Sequence, residues 1–585
     1  LAQIERPANP SGPPLIPPVR IPEPNLPDQP LPTLPPPEDL LPAPLPVVPE
    51  APDLEVPVTV RVERFEVTGS TVFDAELLAE VARRAVAPDP ADTETPPDGS
   101  RMTVDRELSF SDVLQARSAI TQYYVERGYV TSGAIIPQQR LSNSVIRIQV
   151  IEGRLEAINI SGTRRLRPAY LRSRIALAVS TPLNVNRLLE GLQLLQLDPL
   201  IATINADLQA GSRPATSVLE VQVLEADSFS ATLDLNNDRS PSVGSFERGL
   251  ELAEANLTGW GDRLSFSYAN TDGSNTFDAS YTLPINPRNG TVQLAAGVAT
   301  SEVIEPVYDR DGDGENDLDI TSESQYLELS VRQPLIQTVR EEFALGITAS
   351  YQNSETELSI DSDFGGGLEP TGFPISAGAT EDGQTRVTAL RLFQDYTQRS
   401  SQHVLAFRSQ FSLGLDLLGE APAFPDEPNR SFFSWRGQGQ WVRLLAPETL
   451  LLVRGDVQLA DAALVPVEQF GLGGRRTVRG YRQDALLTDN GALFSTELRI
   501  PILRFRDLDS SLQIAPFLDV GTGWNLEANN PDPNLLVGTG LGLLWQTGDY
   551  FAVRLDWGLP LVTVDSEERT WQENGIYFSV LLTPL

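Results

Sequence analysis

From residue 228 to the C-terminus, apolar and polar positions alternate with a period of two. This is the pattern of strands with one face in an apolar environment and the other in water. In Phe229-Ser-Ala-Thr-Leu-Asp-Leu-Asn236 the odd positions are apolar, and Leu451–Leu459 and Phe551–Trp557 behave similarly. Sixteen such segments begin near residues 228, 245, 262, 276, 290, 323, 339, 385, 402, 429, 447, 490, 510, 535, 550 and 574. An even count suits a closed antiparallel barrel with both ends on one side. The connections alternate as well. Short links at Gly259–Asp262, Asn286–Gly290, Thr397–Gln402, Ala446-Pro447 and Gln546–Asp549 fall between long ones at 304–322, 355–384, 417–428 and 462–489. A soluble sandwich would have to bury Arg454, Asp456, Arg554 and Asp556 or expose the opposite apolar faces. A barrel places those charges in a watery lumen. No apolar run reaches the ~20 residues of a membrane-spanning helix, so the membrane-crossing alternative is the barrel.

Ahead of this region the texture differs. Residues 1–57 hold 20 prolines, a density that removes amide donors and predicts an extended or disordered arm. Residues 58–226 read as strand, helix, helix, strand, strand, twice over. Arg61-Val-Glu-Arg-Phe-Glu-Val-Thr-Gly69 matches Arg154-Leu-Glu-Ala-Ile-Asn-Ile-Ser-Gly162 at an offset of 93. Val145–Gly153 matches Val218–Ala226 at an offset of 73, so the first copy carries about 20 extra residues, assigned to the polar stretch Ala87–Asp105. Helical patterns lie at Asp74–Val86, Ser111–Arg127, Arg167–Val179 and Leu183–Leu197. The domains are therefore 1–57, a first α+β module at 58–153, a second at 154–226, and the barrel at 227–585. Two such modules in tandem would also serve other extracytoplasmic binding roles.

Composition narrows the function. A net charge of −35 argues against nucleic acid as a partner, since phosphates need a basic face. With no cysteine there is neither a disulfide framework nor a thiolate metal site. The sequence opens Leu1-Ala2-Gln3 without an initiator Met, as after removal of a signal peptide. No nucleophile elbow, paired-histidine metal motif or phosphate loop is present, and the single histidine, His403, falls at a turn-to-strand junction. The chain reads as a non-enzyme with no required cofactor. One acidic stretch, Asp309-Arg-Asp311-Gly-Asp313-Gly-Glu-Asn-Asp317, has the spacing that converges oxygens on calcium, but Ile320 stands where an EF-hand places its bidentate Glu. Asp309, Asp311, Asp313 and Asp317 are candidate calcium ligands in an outer loop, an empty polar loop being the alternative.

The longest connection that carries a motif, 462–489, contains Gly471-Leu-Gly-Gly-Arg-Arg-Thr-Val478-Arg479-Gly480-Tyr481. Its length lets it reach down a lumen, and its glycines permit a tight tip. Val478-Arg479-Gly480-Tyr481 resembles the VRGY motif in the sixth outer loop of the superfamily that joins POTRA domains to a barrel. This comprises outer-membrane insertases and the transporters of two-partner secretion, including the haemolysin and filamentous-haemagglutinin exporters. Counting strands makes this loop the sixth outer one here too. The resemblance implies that Arg479 pairs with Asp519 of Phe517-Leu-Asp519-Val-Gly521 on the inner wall of the thirteenth strand. It extends over about 58–585, with echoes at Leu257–Asp262, Glu497–Pro501 and Ile576–Leu582. Two features depart from it: the proline density of 1–57 disfavours a long plug helix, and the last residue is Leu585, not an aromatic.

The resemblance implies two periplasmic POTRA domains followed by a 16-stranded transmembrane β-barrel in the outer membrane. The expected activity is export of an unfolded partner protein, with outer-membrane lipid as the other partner and a single chain as the unit. Client capture is expected by strand addition at an exposed sheet edge, here the segment Ala202–Gln209 with Ile204, Ala206 and Leu208 as its alternating apolar positions. The alternatives are a general outer-membrane insertase, a passive porin and a soluble extracytoplasmic binding protein. The module count of two favours secretion over insertion.

Overall fold

The computed structural model describes residues 59–89, 97–101, 103–139, 144–305, 318–360, 368–417, 422–423, 428, 430–564 and 570–584, with Leu26, Pro36, Leu40 and Leu41. From residue 59 on, the described residues form two compact units, which meet in the sequence between Ala226 and Asp227. In the first unit, one module comprises β1 (Val60–Thr68), α1 (Ala75–Val86), β2 (Thr103–Leu108), α2 (Phe110–Val125), β3 (Gly133–Ile135) and β4 (Val145–Ile151). The next comprises β5 (Arg154–Ser161), α3 (Pro168–Ala178), α4 (Val185–Gln196), β6 (Ile201–Ala210) and β7 (Thr216–Glu225). The strand orders are β2-β1-β4-β3 and β5-β7-β6.

Local chemistry sets the helix ends. Ser109 and Asp112 form a reciprocal capping box at the start of α2. Pro168 occupies the first turn of α3, and the Asn184 side chain accepts the Asn186 and Arg187 amides at the start of α4. The core of the first module packs Val62, Phe65, Leu78, Ile120, Tyr124 and Ile148.

The sequence repeat is also a repeat of atoms. Because β1 runs parallel to β4 and β5 parallel to β7, the matched stretches meet across the sheet. Gly69 and Gly162 both have φ +86, and a Cβ there would lie 2.4 Å from Val150 O or 2.2 Å from Val223 O. Two residues beyond each of those carbonyls stands a glutamate that clamps the loop after the first strand. Glu152 accepts from Thr71 N at 2.7 Å. Glu225 accepts from the amides of Arg164 (2.6 Å), Arg165 (3.1 Å) and Leu166 (2.9 Å). Those three donors hold the Glu225 carboxyl below the usual range although burial opposes them. One expectation needs correction: the first module is not only strand, helix, helix, strand, strand, since a further strand, β2, begins at Thr103 within the inserted stretch Ala87–Asp105 and pairs antiparallel with β1.

The second unit is a closed barrel of 16 staves. They are β8 (Phe229–Asn236), β9 (Glu247–Glu254), β10 (Arg263–Asn270), β11 (Ser274–Pro284), β12 (Thr291–Glu302), β13 (Leu318–Gln337), β14 (Glu341–Ile360), β16 (Gln384–Arg399), β17 (His403–Leu415), β18 (Phe433–Ala446), β19 (Thr449–Ala460), β22 (Asn490–Phe505), β23 (Ser510–Trp524), β24 (Leu535–Thr547), β25 (Phe551–Pro560) and β26 (Ile576–Leu582). Three short strands lie in loops: β15 (Leu368–Gly372) pairs with the end of β14, and β20 (Phe470–Leu472) pairs with β21 (Leu486–Thr488). The barrel closes where β26 meets β8, from Ser579 opposite Asn236 to Leu582 opposite Leu233.

The period of two sorts the faces. Leu390 and Leu392, Leu541 and Leu543, and Leu555 and Trp557 are exposed. Their neighbours Arg391, Arg554 and Asp556 point inward into ion pairs. An exposed belt of this kind is stable only against lipid. β13 and β14 extend about five residues further into the outer loops 304–322 and 355–384 than the sequence pattern predicts. At that end Val303, Ile320 and Leu358 form a small apolar cluster that lets the pairing continue.

Candidate functional site

The connection from β19 to β22 folds back between the staves, its stem the β20–β21 pair. At its tip Gly473 (φ +109), Gly474 (φ +92) and Gly480 (φ +105) take backbone conformations that L side chains rarely adopt. The Thr477 hydroxyl closes the turn, accepting from Gly473 N at 2.9 Å and donating to Gly473 O at 2.8 Å.

Arg479 is nearly enclosed, with a relative exposure of 4%, and Asp519 of β23 has 0%. The guanidinium grips that carboxylate with both arms, Nε to Oδ2 at 2.7 Å and Nη2 to Oδ1 at 2.9 Å. The Arg479 amide adds a third bond at 3.2 Å, and the guanidinium carbon lies 3.5 Å from the centre of the Phe517 ring. Beyond Asp519 the cluster widens. Arg479 Nη1 donates to Glu497 Oε2 at 2.7 Å. Glu497 also accepts from Arg499 (2.8 Å) and from Arg554 (3.1 and 2.6 Å), and Arg554 bonds Asp556 at 2.6 and 2.8 Å. Arginines 479, 499 and 554 thus face Glu497, Asp519 and Asp556, with the Arg454 guanidinium in the same neighbourhood. Such pairing matters because an unpaired charge this deep is costly.

Other tethers hold the loop. Gly480 N donates to the Tyr577 hydroxyl at 2.8 Å, and that hydroxyl donates to Tyr481 O at 2.6 Å. The Tyr481 hydroxyl sits within 2.9 Å of Val537 O and 2.8 Å of Val562 O. Val478 and Tyr481 pack with Phe470, Leu472, Leu486 and Leu536. Arg475 pairs with Asp238 (2.7 and 2.5 Å), and Arg482 with Glu305 (3.1 and 2.9 Å), fixing the loop to its neighbours at the same end.

The wall beneath the loop is paved with glycine. A Cβ on Gly538 would lie 1.8 Å from Arg479 O, one on Gly558 2.6 Å from Gly480 N, and one on Gly521 2.8 Å from Val478 and Leu472. The glycines are therefore the negative of the loop's shape.

The structure brings together Val478, Arg479, Gly480, Tyr481, Phe517, Asp519 and Gly521, the residues that the motif indicated. Glu497, Arg554, Asp556 and Tyr577 complete the cluster without having been assigned to it. Arg554 and Asp556 face the barrel interior as expected, but in ion pairs and not in open water. Asp456 pairs with Arg436 at 2.8 Å, and Gln458 donates to the loop-base carbonyls of Glu468 (2.9 Å) and Asp489 (3.2 Å). His403 is half-buried, its Nδ1 2.9 Å from the Ser400 hydroxyl. In the second module, Ile204, Ala206 and Leu208 have exposures of 2, 4 and 7%. Their side chains belong to the module's own core, so a strand added at Ala202–Gln209 would meet main-chain groups and not these side chains. Asp309, Asp311, Asp313 and Asp317 lie outside the described residues.

Residues 381–544 match the family of the haemolysin secretion/activation protein ShlB/FhaC/HecB, and residues 101–153 match the POTRA domain, ShlB-type. The outer membrane transporter CdiB of Dickeya dadantii (strain 3937) is 22% identical over 415 residues, covering 68% of this chain and 69% of that protein. The heme/hemopexin transporter protein HuxB of Haemophilus influenzae (strain 86-028NP) is 22% identical over 478 residues, covering 78% and 79%. The solved structure of CdiB from Escherichia coli aligns with a TM-score of 0.62 at 21% identity, covering 92% of this chain and 94% of that one.

Proposed function

Because the chain belongs to the haemolysin secretion/activation family of outer-membrane transporters, with periplasmic POTRA modules and a 16-stranded barrel, we propose that it exports one unfolded partner protein. The POTRA arm captures the client, and the barrel conducts it when the loop carrying Arg479 leaves its seat. The observation that carries this reading is the seating itself. The loop is held in a glycine-paved groove by polar and ionic contacts and one apolar cluster, all non-covalent contacts that can be remade. A single copy is the proposed working unit, a reading supported by a barrel that needs no second chain to close. The protein acts as a conduit and not as a catalyst, and the free energy for export comes from folding of the client outside the cell.

Co-expression with the secreted partner in a host lacking both tests this. Partner should reach the medium with the intact chain. It should stay in the periplasm with a variant whose loop 462–489 is replaced by a short glycine-serine link. Secretion that survives this replacement unchanged would remove the loop from the mechanism, and partner retained by the intact chain would remove export.

A further inference from the structure

The two modules are repeats, but the first contains a strand that the second lacks. In the first, β2 lies antiparallel along the outer edge of β1, with Val60 opposite Leu108, Arg61 opposite Glu107, Val62 opposite Arg106 and Arg64 opposite Thr103. In the second, the order is β5-β7-β6. The outer edge of β5, the counterpart of β1, pairs with no strand among the described residues. Burial agrees: Val62, Phe65 and Val67 of β1 are 0, 2 and 4% exposed. Their counterparts 93 residues on, Leu155, Ile158 and Ile160, are only half-buried. An edge with unpaired main-chain groups beside a half-covered apolar row invites another strand. The opposite edge is less open. On β6 the Gln196 side chain donates to Ala202 O at 3.1 Å and accepts from Ile204 N at 3.0 Å, filling the place of a neighbouring strand.

We infer that an extended client segment adds to β5, antiparallel at Arg154–Ala157, in the position that β2 takes on β1. This rests on the reading that the arm captures an unfolded client, and it names the edge, the direction and the client's chemistry. Arg61 pairs across the strands with Asp105 at 3.0 Å. Arg154 stands at the equivalent place and is exposed, so it suits an acidic residue on the incoming strand, flanked by alternating apolar residues that complete the row of Leu155 and Ile158. Further along, Arg172 sets a limit: its Nε donates to Ile158 O at 3.1 Å, where the first module has Ala79. A charged side chain on a sheet edge discourages indiscriminate pairing. The chain's own residues 1–57 are poor occupants, since their 20 prolines lack amide donors.

The full chain, free of cysteine, allows a direct test by disulfide mapping in detergent micelles. The probe is a peptide copying Arg101–Ser109 with one cysteine, at position 103 or 106. The predicted register cross-links L155C to position 106 and A157C to position 103, each at least tenfold faster than the swapped pairs or D207C on β6. R154E should slow the matched pairs about two- to fivefold, the range of an exposed ion pair. Faster swapped pairs would overturn the antiparallel register. Preferential capture at D207C, or none at any site, would overturn the β5 edge. Binding of the unfolded partner to the full chain is measured separately. An arm that binds partner but captures peptide at D207C leaves export standing and removes only this inference, whereas an arm that binds no partner removes both.

Discussion

Replacing Arg479 with alanine leaves Asp519 and Glu497 inside the barrel with one cation fewer. Three charge-assisted hydrogen bonds disappear, two to Asp519 and one to Glu497, and Asp519 loses the arginine that grips it. Each such bond contributes about 1.5–3 kcal/mol, but water enters and side chains relax. The better guide is the cost of orphaning one member of a buried pair, about 3–5 kcal/mol. That cost should appear as loosening of the loop, because the surrounding strands keep their own ladders. Hydrogen exchange of the Gly480 amide, which is bonded to Tyr577, reads it: at about 1.4 kcal/mol per tenfold, protection should fall roughly 10²–10⁴-fold. Asp519→Ala should do much the same. If the pair is one interaction, the double variant should be less impaired than the sum of the singles by about 1–3 kcal/mol. Effects that add within roughly 0.5 kcal/mol would refute the pairing as the anchor, whatever either single variant does to secretion.

The glycine floor predicts that Gly538→Ala, whose Cβ would meet Arg479 O at 1.8 Å, unseats the loop. Limited proteolysis should then cut 461–489 in a folded barrel, while Gly439→Ala, with nothing nearer than 3.8 Å, should leave the loop protected. In the second module the carboxyl of Glu156 is lowered to about 2 by the Ser212 and Thr216 hydroxyls, and that of Glu225 is lowered by main-chain amides. Depressed acids stabilise fully above their unfolded pKa of about 4.5 and lose that contribution as pH falls toward the folded value. Exchange protection in residues 154–226 should therefore hold from pH 7 to 5 and decline below about 4.5, and Glu225→Gln should flatten that decline. For the acidic outer loop we propose weak calcium binding by Asp309, Asp311, Asp313 and Asp317. Millimolar calcium, the range of about 10⁻⁴–10⁻³ M for extracellular modules, should slow proteolysis of this loop relative to chelator, and equal rates would dismiss the site.

The legible parts were those that a local pattern encodes. Alternation located all sixteen staves because each buries one face against lipid. The capped helices began within two residues of the expected Asp74, Ser111, Arg167 and Leu183. Arg479 and Asp519 could be paired only through a motif, since nothing local links residues 40 apart. Glu497, Arg554, Asp556 and Tyr577 stayed hidden because closure of the barrel, not sequence proximity, gathers β22, β25 and β26 around the loop. Gly538 and Gly558 carry no motif, and only the structure shows that they leave room for the loop's backbone, as Gly521 of the motif does for the Val478 and Leu472 side chains. β2 was missed because Thr103-Val-Asp-Arg-Glu-Leu108 is short and mostly polar, and its partner lies far back along the chain. The edge Ala202–Gln209 was chosen for alternation that turns out to serve the module's own core.

The most direct test of export through the barrel is to pin the loop in its seat and ask whether client still passes. A Cβ at Gly521 would point at Val478, 2.8 Å from its Cγ2; cysteine in place of Val478 removes one of the two methyls there and puts a sulfur within reach of the other cysteine. The V478C/G521C chain should fold and insert normally. Secretion of the unfolded partner should stop under oxidising conditions, resume on addition of reductant, and remain unaffected by either treatment in the two single-cysteine chains. Undiminished secretion through the oxidised, demonstrably cross-linked double variant would contradict a seated loop that must leave for the client to pass.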